Sequence, residues 1–147
     1  ITYRLYEGGK LEQDVSSRIN TISRLLNQIP PFAEERIIKV KKSLTEKLEE
    51  IDKKNIDENR LEQELIYYLE KQDITEEQVR LKTHLDYFIE VINADTPNGK
   101  KLAFIAQEIG REINTIGSKS SNADMQKIVV QMKDELEKIK EQLLNIL

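Results

Sequence analysis

The sequence predicts an all-α fold, and three observations lead to that prediction. Apolar residues recur three and four positions apart through most of the 147 residues, which is the spacing of one helix face. Aromatic residues make up only 5% of the chain, with 5 glycines and 3 prolines, whereas strand-rich chains use many aromatic and turn-forming residues. Charged residues reach 34%, as helices with one solvated face require. We therefore expect a long helical hairpin arm followed by a compact four-helix part.

The predicted arm comprises residues 1–55 and contains two helices. The first extends to residue 29, and Pro30-Pro31 is expected to end it because the residue before a proline avoids the α region. The second covers about residues 32–51. Both carry a single apolar stripe, and the short break between them predicts that they pack antiparallel.

The predicted compact part comprises residues 56–147. Thr75 with Gln78 predicts a capping box at the start of its second helix. The stretch GSKSSN is predicted as a turn, with Gly117 in the left-handed conformation and Asn122 as the cap of the last helix. The four predicted helices cover about residues 58–71, 76–93, 100–116 and 123–146.

Composition restricts the function. The net charge of −4 argues against a general nucleic-acid binder, although residues 99–120 carry four basic and two acidic residues, a local +2. The absence of cysteine excludes disulfides and thiolate chemistry and fits a reducing compartment. No segment has the roughly 20 consecutive apolar residues of a membrane span, and no basic-then-apolar leader opens the chain. Because the chain begins at Ile1 rather than Met, we expect it to continue a longer protein.

One predicted helix carries an unusual polar flank. The stretch FIAQEIGREINTIGSKS begins at Phe104, and its apolar stripe predicts an ordinary core face. Glu108 and Glu112 lie one turn apart on the flank, where like charges repel unless a cation lies between them. That cation is Arg111, an arginine from another helix, or a metal ion.

Two other helices place polar residues on comparable flanks. Glu64 follows Arg60 by four residues and His84 follows Arg80 by four, so a carboxylate and an imidazole could meet across a helix pair. Carboxylates with one imidazole suit Mg²⁺ or Mn²⁺. Arginine and lysine side chains, and the small residues of GSKS, could hold a phosphate.

Each feature also has a plain structural interpretation. Glu108 and Glu112 are then solvated or paired with arginine, and His84 is a satisfied flank histidine, because no HxxxH or HExxH spacing accompanies it. GSKSSN is then only the end of one helix and the cap of the next. No P-loop spacing is present, and a single histidine without a strained nucleophile turn gives no Ser–His–Asp set.

Several long stretches resemble a known family. RLYEGGKL, ENRLEQEL, ITEEQVRLKTHLDYF and the run from Gly99 to Leu147 are similar to the C-terminal half of the bacterial YicC-like proteins. The most distinctive part is the pattern F-x-x-Q-E-x-x-R-E-x-N-T-x-x-S-K. The resemblance implies a cytoplasmic, divalent-metal-dependent endoribonuclease that forms a homo-oligomer, with a hexamer as the expected form and RNA as the partner. It also implies that residues 56–147 are the family's C-terminal helical domain, and that the N-terminal half lies outside this chain.

The resemblance carries a set of site residues over to this sequence. They are Gln63, Glu64, Arg80, His84, Phe104, Gln107, Glu108, Arg111, Glu112, Asn114, Thr115, Ser118 and Lys119. The roles within this set are our own inference. We expect Mn²⁺ or Mg²⁺ to be held by Glu64, His84, Glu108 and Glu112. The last three of these are the expected catalytic residues, and the ion would activate water.

The RNA contacts complete the hypothesis. The expected phosphate and RNA ligands are Arg80, Arg111, Lys119, Ser118, Asn114 and Gln107. The rival hypothesis is a non-catalytic helical module for oligomerisation or RNA binding, whose polar cluster is a structural network of ion pairs. The two hypotheses differ in whether the four expected metal ligands converge.

Overall fold

In a computed structural model, the described residues of the chain fold into six α-helices. The backbone is described for residues 2–51, 58–120 and 122–146, and the side chains for residues 11–47, 49–50, 59–60, 62–120 and 122–145. The helices are α1 (Thr2–Asn27), α2 (Ile29–Ile51), α3 (Glu58–Gln72), α4 (Thr75–Ile92), α5 (Gly99–Lys119) and α6 (Ala123–Ile146). Those ranges contain no strand, which confirms the predicted all-α class.

The compact four-helix part is formed by α1, α4, α5 and α6. α5 packs between α4 and α6, and α1 packs against α4 and α6 to close the bundle. The predicted stripe of α5 is buried along its whole length, from Leu102 to Ile116, and the three- and four-residue spacing of apolar residues along α6 likewise gives a buried stripe from Met125 to Leu143. The sequence assigned α1 to the hairpin arm. In the structure Val15, Ile19 and Ile22 of α1 are fully buried in this shared core.

α2 and α3 lie beside the bundle and pack against each other. Pro30 and Pro31 occupy the first turn of α2, where a missing N–H costs nothing, so they begin this helix rather than separate two helices at residue 32. Several large apolar side chains on α2 and α3 reach solvent, among them Ile38 and Tyr67. This part of the chain therefore leaves apolar surface uncovered.

The start of α4 differs from the predicted capping box. Thr75 is the first helical residue, and no side-chain cap bond is made at the preceding position, Ile74. Instead Asp73 Oδ1 accepts hydrogen bonds from the backbone N–H and the hydroxyl of Thr75, at 2.9 and 2.6 Å. An aspartate before the helix satisfies an N–H that has no partner in the first turn, which is the role the sequence assigned to Thr75.

The junction of α5 and α6 also differs from the predicted turn. α5 continues through Gly117 to Lys119, and Gly117 does not have positive φ. A Cβ atom at Gly117 would lie 3.0 Å from Val129 Cγ1, so a larger residue would force Val129 to shift, and the glycine permits this close helix packing. Asn122 caps α6 as predicted, because its Oδ1 accepts the N–H of Asp124 at 2.7 Å.

Candidate functional site

Contacts between charged side chains fix how α4 and α5 face each other. Arg80 Nε donates to Glu112 Oε1 at 3.0 Å, and Lys119 Nζ donates to Glu77 Oε1 at 3.1 Å. The lower-numbered residue of α4 meets the higher-numbered residue of α5, so the two helices run antiparallel. The core stripes of both helices lie behind these contacts, which places the charges on one flank of the pair.

This flank holds a network that we call the ion-pair cluster: Glu76, Glu77, Arg80, Glu112 and Lys119. The side chains of Glu77 and Glu112 are each only 7% exposed, and Arg80 Nη2 lies 3.5 Å from Glu77 Oε1. Hydrogen bonds from Arg80 to Glu112, and then to Glu76, raise the pKa of the Arg80 guanidinium above its ordinary value. A buried carboxylate is stable only beside such cations, so Arg80 and Lys119 are already paired within the protein.

A second arginine holds the end of α5 in place. Arg36 of α2 is buried, and its Nη2 donates to the carbonyl oxygen of Lys119 at 2.9 Å. The last carbonyls of a helix lack partners within the helix and attract cations. Burial lowers the pKa of Arg36 below its ordinary value. Lys119 Nζ also donates to the carbonyl of Asp73 at 3.1 Å, so α5 ends in a rigidly held segment.

The outer side of α5 is different. A pocket of about 430 Å³ opens there, and we call its lining the open face: Gln107, Glu108, Gly110, Arg111, Asn114 and Thr115 of α5, with Lys140 of α6. Arg111 is 74% exposed and its Nη1 lies 4.0 Å from Glu108 Oε1, the outer limit of an ion pair. Glu108 is half-buried at 24% exposure, so its carboxylate is partly desolvated yet within reach of a ligand.

His84 lies on α4 at the level of this open face. Arg80 contacts Glu112 across the helix pair, and His84 is one turn after Arg80 while Glu108 is one turn before Glu112. In an antiparallel pair these two steps run in the same direction, so His84 and Glu108 stand at the same height. Both side chains are half-buried.

The four expected metal ligands do not gather at one point within this chain. Glu64 of α3 lines a separate pocket with Arg60 and Tyr67, because α3 packs on α2 rather than on the α4–α5 pair. Among the side chains that the structure describes, no three carboxylates or imidazoles are placed to hold a metal ion. The described donors therefore do not fit the single four-ligand centre that we expected.

The expected RNA ligands divide into two groups. Arg80 and Lys119 belong to the ion-pair cluster, whereas Gln107, Arg111 and Asn114 lie together on the open face. Ser118 is exposed, and its hydroxyl donates to the carbonyl of Thr115 within the helix at 3.0 Å.

The expected anion site of GSKS is not formed. Residues 117–119 are the last turn of α5, where backbone N–H groups already donate to carbonyls of the preceding turn. Sequence reasoning also missed several participants. Lys140 had only the spacing of an ordinary surface ion pair. Nothing in the sequence around Arg36 indicated a contact with another helix. Glu77 could have been suspected, because it precedes Arg80 by three residues.

No helix in the part of the chain that the structure describes is long and apolar enough to cross a membrane. The charged residues on every helix explain this, since each solvated flank interrupts the apolar surface.

Comparison with known proteins identifies relatives along almost the whole chain. A probable endoribonuclease YicC from Clostridioides difficile is 40% identical over 145 residues, which is 97% of this chain and 50% of that protein. A probable endoribonuclease YicC from Haemophilus influenzae is 31% identical over 150 residues, 99% of this chain and again 50% of that protein. The chain thus spans about half the length of these curated relatives. The family profile described as "Endoribonuclease YicC-like, C-terminal" matches residues 29–147, and the chain belongs to this family.

Proposed function

We propose that the intact protein containing this chain is an endoribonuclease, and that the open face of α5 receives the RNA phosphodiester. The observation that carries this proposal is the open-face pocket. It brings Gln107, Arg111 and Asn114 together beside the half-buried carboxylate of Glu108. Hydrogen-bonding and cationic groups of this kind bind RNA phosphates and base edges, and a carboxylate among them can transfer a proton. The names of the two relatives agree with this chemistry.

Roles on the open face follow from charge and position. Arg111 of α5 and Lys140 of α6 supply two cations to the pocket and hold phosphate oxygens. Glu108 accepts the proton of the attacking hydroxyl or water. His84, at the same height on α4, donates a proton to the leaving ribose oxygen. The ion-pair cluster acts indirectly, because it fixes the α4–α5 register that brings these two groups to one level.

Metal dependence, with Mn²⁺ or Mg²⁺, stays part of the proposal on the strength of the family resemblance. The described donors do not converge, so an ion would need ligands from outside this chain. Mg²⁺ is commonly held by one or two carboxylates together with substrate phosphates, and Glu108 is accessible enough to be one of them. No step above depends on the ion.

The test is an RNA-cleavage assay with the intact protein, run with Mn²⁺, with Mg²⁺ and with EDTA. Glu108→Gln should lower the rate by about 10²- to 10⁴-fold, the usual contribution of a positioned acid or base. Glu46→Gln removes an exposed glutamate from α2, away from the open face, and serves as the matched control. Wild-type cleavage in Glu108→Gln would overturn the role of the open face. Full activity in EDTA would overturn metal dependence alone.

A second candidate function is a non-catalytic module for assembly or RNA binding. The ion-pair cluster favours it, as do the exposed Ile38 and Tyr67 on α2 and α3, because uncovered apolar surface is typical of protein contacts. In that case the intact protein binds RNA or itself without cutting. Sedimentation of the intact protein tests the homo-oligomer that the resemblance implies, and the cytoplasmic location is tested by cell fractionation.

A further inference from the structure

An apolar groove adjoins the open face. Its volume is about 630 Å³, within the range of ligand pockets. Phe104 of α5 and Leu144 of α6 form its walls and are 61% and 76% exposed, while the small side chain of Ala103 leaves space between the helices. Large apolar side chains that are exposed along one continuous groove are typical of a binding site.

The groove and the open face form one surface. Gln107 and Lys140 line both. Phe104, Gln107, Arg111 and Asn114 are spaced three, four and three residues apart, so they form one stripe about 15 Å long on α5. A ligand that extends along this stripe meets an aromatic ring first, then amide and guanidinium groups.

We infer that Phe104 stacks on an unpaired base of the RNA whose phosphodiester lies on the open face. The inference rests on the proposed function and adds to it a base-binding residue, which requires a base that is unstacked at this point. Every base has a flat apolar face that an aromatic ring can cover, and such a face is accessible only when the base is not stacked in a duplex. Gln107, which offers both donors and an acceptor, stands next to the ring and can bond to the edge of the same base.

The surroundings favour a nucleic acid over a protein segment. Lys100 and Lys140 line the groove, and cations beside an exposed aromatic ring suit the phosphates and bases of a nucleic acid. On α5, Lys100 precedes Phe104 and Arg111 follows it, and the positive charges of both side chains suit the phosphates of the RNA backbone. Glu137 and Glu141 line the α6 side, so the phosphates run along α5 and the base points toward Leu144.

The test compares two RNAs by fluorescence anisotropy with the intact protein: a labelled oligouridylate of about ten nucleotides and a blunt duplex of the same length. Phe104→Leu keeps an apolar side chain but removes the ring. It should weaken binding of the oligouridylate by about 5- to 150-fold and leave duplex binding unchanged. Phe104→Trp should retain wild-type affinity. Gel electrophoresis of the same samples confirms that the RNA stays intact.

The matched control is Val79→Ala. Val79 is an apolar residue with a similar exposure of 62%, located on α4 outside the groove, and its loss should change neither affinity. If wild-type protein cuts RNA but Phe104→Leu binds the oligouridylate normally, only the stacking inference is overturned. An altered sedimentation coefficient with normal RNA affinity would overturn it in favour of a protein contact. If the intact protein neither binds nor cuts RNA, the proposed function is wrong, and the stacking inference is wrong with it.

Discussion

α5 carries two polar regions of similar composition that differ in how their charges are paired. In the ion-pair cluster, Glu112 and Lys119 are paired with residues of α4 at 3.0–3.1 Å, and the two carboxylates, Glu77 and Glu112, are each only 7% exposed. On the open face, Arg111 is 74% exposed and its contact with Glu108 is at the outer limit of an ion pair. Both regions contain glutamates and cations, yet only the second leaves them free to meet a ligand.

This difference teaches that charge pattern alone does not identify a functional site. A carboxylate that is already neutralised and desolvated would have to lose its partner before it could bind a substrate, and breaking a buried pair is costly. An exposed guanidinium loses little when it leaves a weak surface pair. The cluster therefore stabilises the helix pair, and the open face is where chemistry is proposed.

The largest expected effect on stability distinguishes a cation of the ion-pair cluster, Lys119, from a cation of the open face, Arg111. Lys119→Met removes the hydrogen bonds to Glu77 and to the carbonyl of Asp73, and leaves the buried Glu77 with only the longer contact to Arg80. We expect the free energy of unfolding to fall by about 2–3 kcal/mol. Arg111→Met should change it by less than about 0.5 kcal/mol. Urea unfolding measures both, and equal losses would contradict the contrast.

The two glutamates provide a sharper test. Glu112→Gln weakens the contact with Arg80 and should lower stability by about 1.5 kcal/mol, with cleavage falling because the α4–α5 register loosens. Glu108→Gln should lower cleavage without a change in unfolding.

Trimethylamine N-oxide, which favours compact states, serves to distinguish the two causes. It should restore cleavage to Glu112→Gln but not to Glu108→Gln. Restoration of both variants, or of neither, would show that the two carboxylates act in the same way.

Sequence patterns predicted most of the fold because burial follows periodicity. The stripe of α5 was confirmed from Leu102 to Ile116 and that of α6 from Met125 to Leu143, and helix ends were within a few positions. The position of α1 was not predictable in the same way. A stripe such as Val15, Ile19 and Ile22 indicates that one face of α1 is buried. It does not indicate which helices pack against that face. Gly117 illustrates the same limit, since the close contact that favours a glycine there is made by Val129 of a different helix.

The candidate site was predictable only in part, for a related reason. The flank positions of Glu108 and Glu112 are identical by helical spacing, and nothing local distinguishes them. Arg80, 32 residues before Glu112, selects one of the two as its partner. The separation of Glu64 from His84 likewise depends on which helix α3 packs against. Pairing across helices is a property of tertiary packing, which one sequence does not encode in its local pattern.

A smaller effect concerns the salt dependence of RNA binding. If Arg111 contacts a phosphate, Arg111→Met should reduce the slope of log affinity against log salt by about 0.7, the value for one contact to a single strand. Lys133→Met, which removes an exposed lysine from α6, is the control and should leave the slope unchanged. A slope unaffected by the loss of Arg111 would place the RNA elsewhere. The measurement is a titration of labelled oligouridylate at several salt concentrations.

The smallest expected effect is a dependence of stability on pH at the start of α4. Hydrogen bonds from Thr75, and then the charge of Lys119, hold the pKa of Asp73 below its ordinary value of 3.8. Because the folded pKa is the lower one, this stabilisation is present above pH 3.8 and is lost as pH falls through the folded value. Asp73→Asn keeps an acceptor but removes the charge.

The variant should lose about 0.5 kcal/mol at pH 6, since Asp73 is exposed and its charge is screened. The deficit should shrink at pH 3, where the wild-type carboxylate begins to take up a proton. Asp86→Asn, in the fourth turn of the same helix and also exposed, should show no such pH-dependent difference. Urea unfolding at the two pH values is the measurement. A deficit that stays constant would mean that Asp73 acts through its hydrogen bonds alone. The charge contact between Lys119 and this end of α4 would then not contribute to holding the ion-pair cluster together.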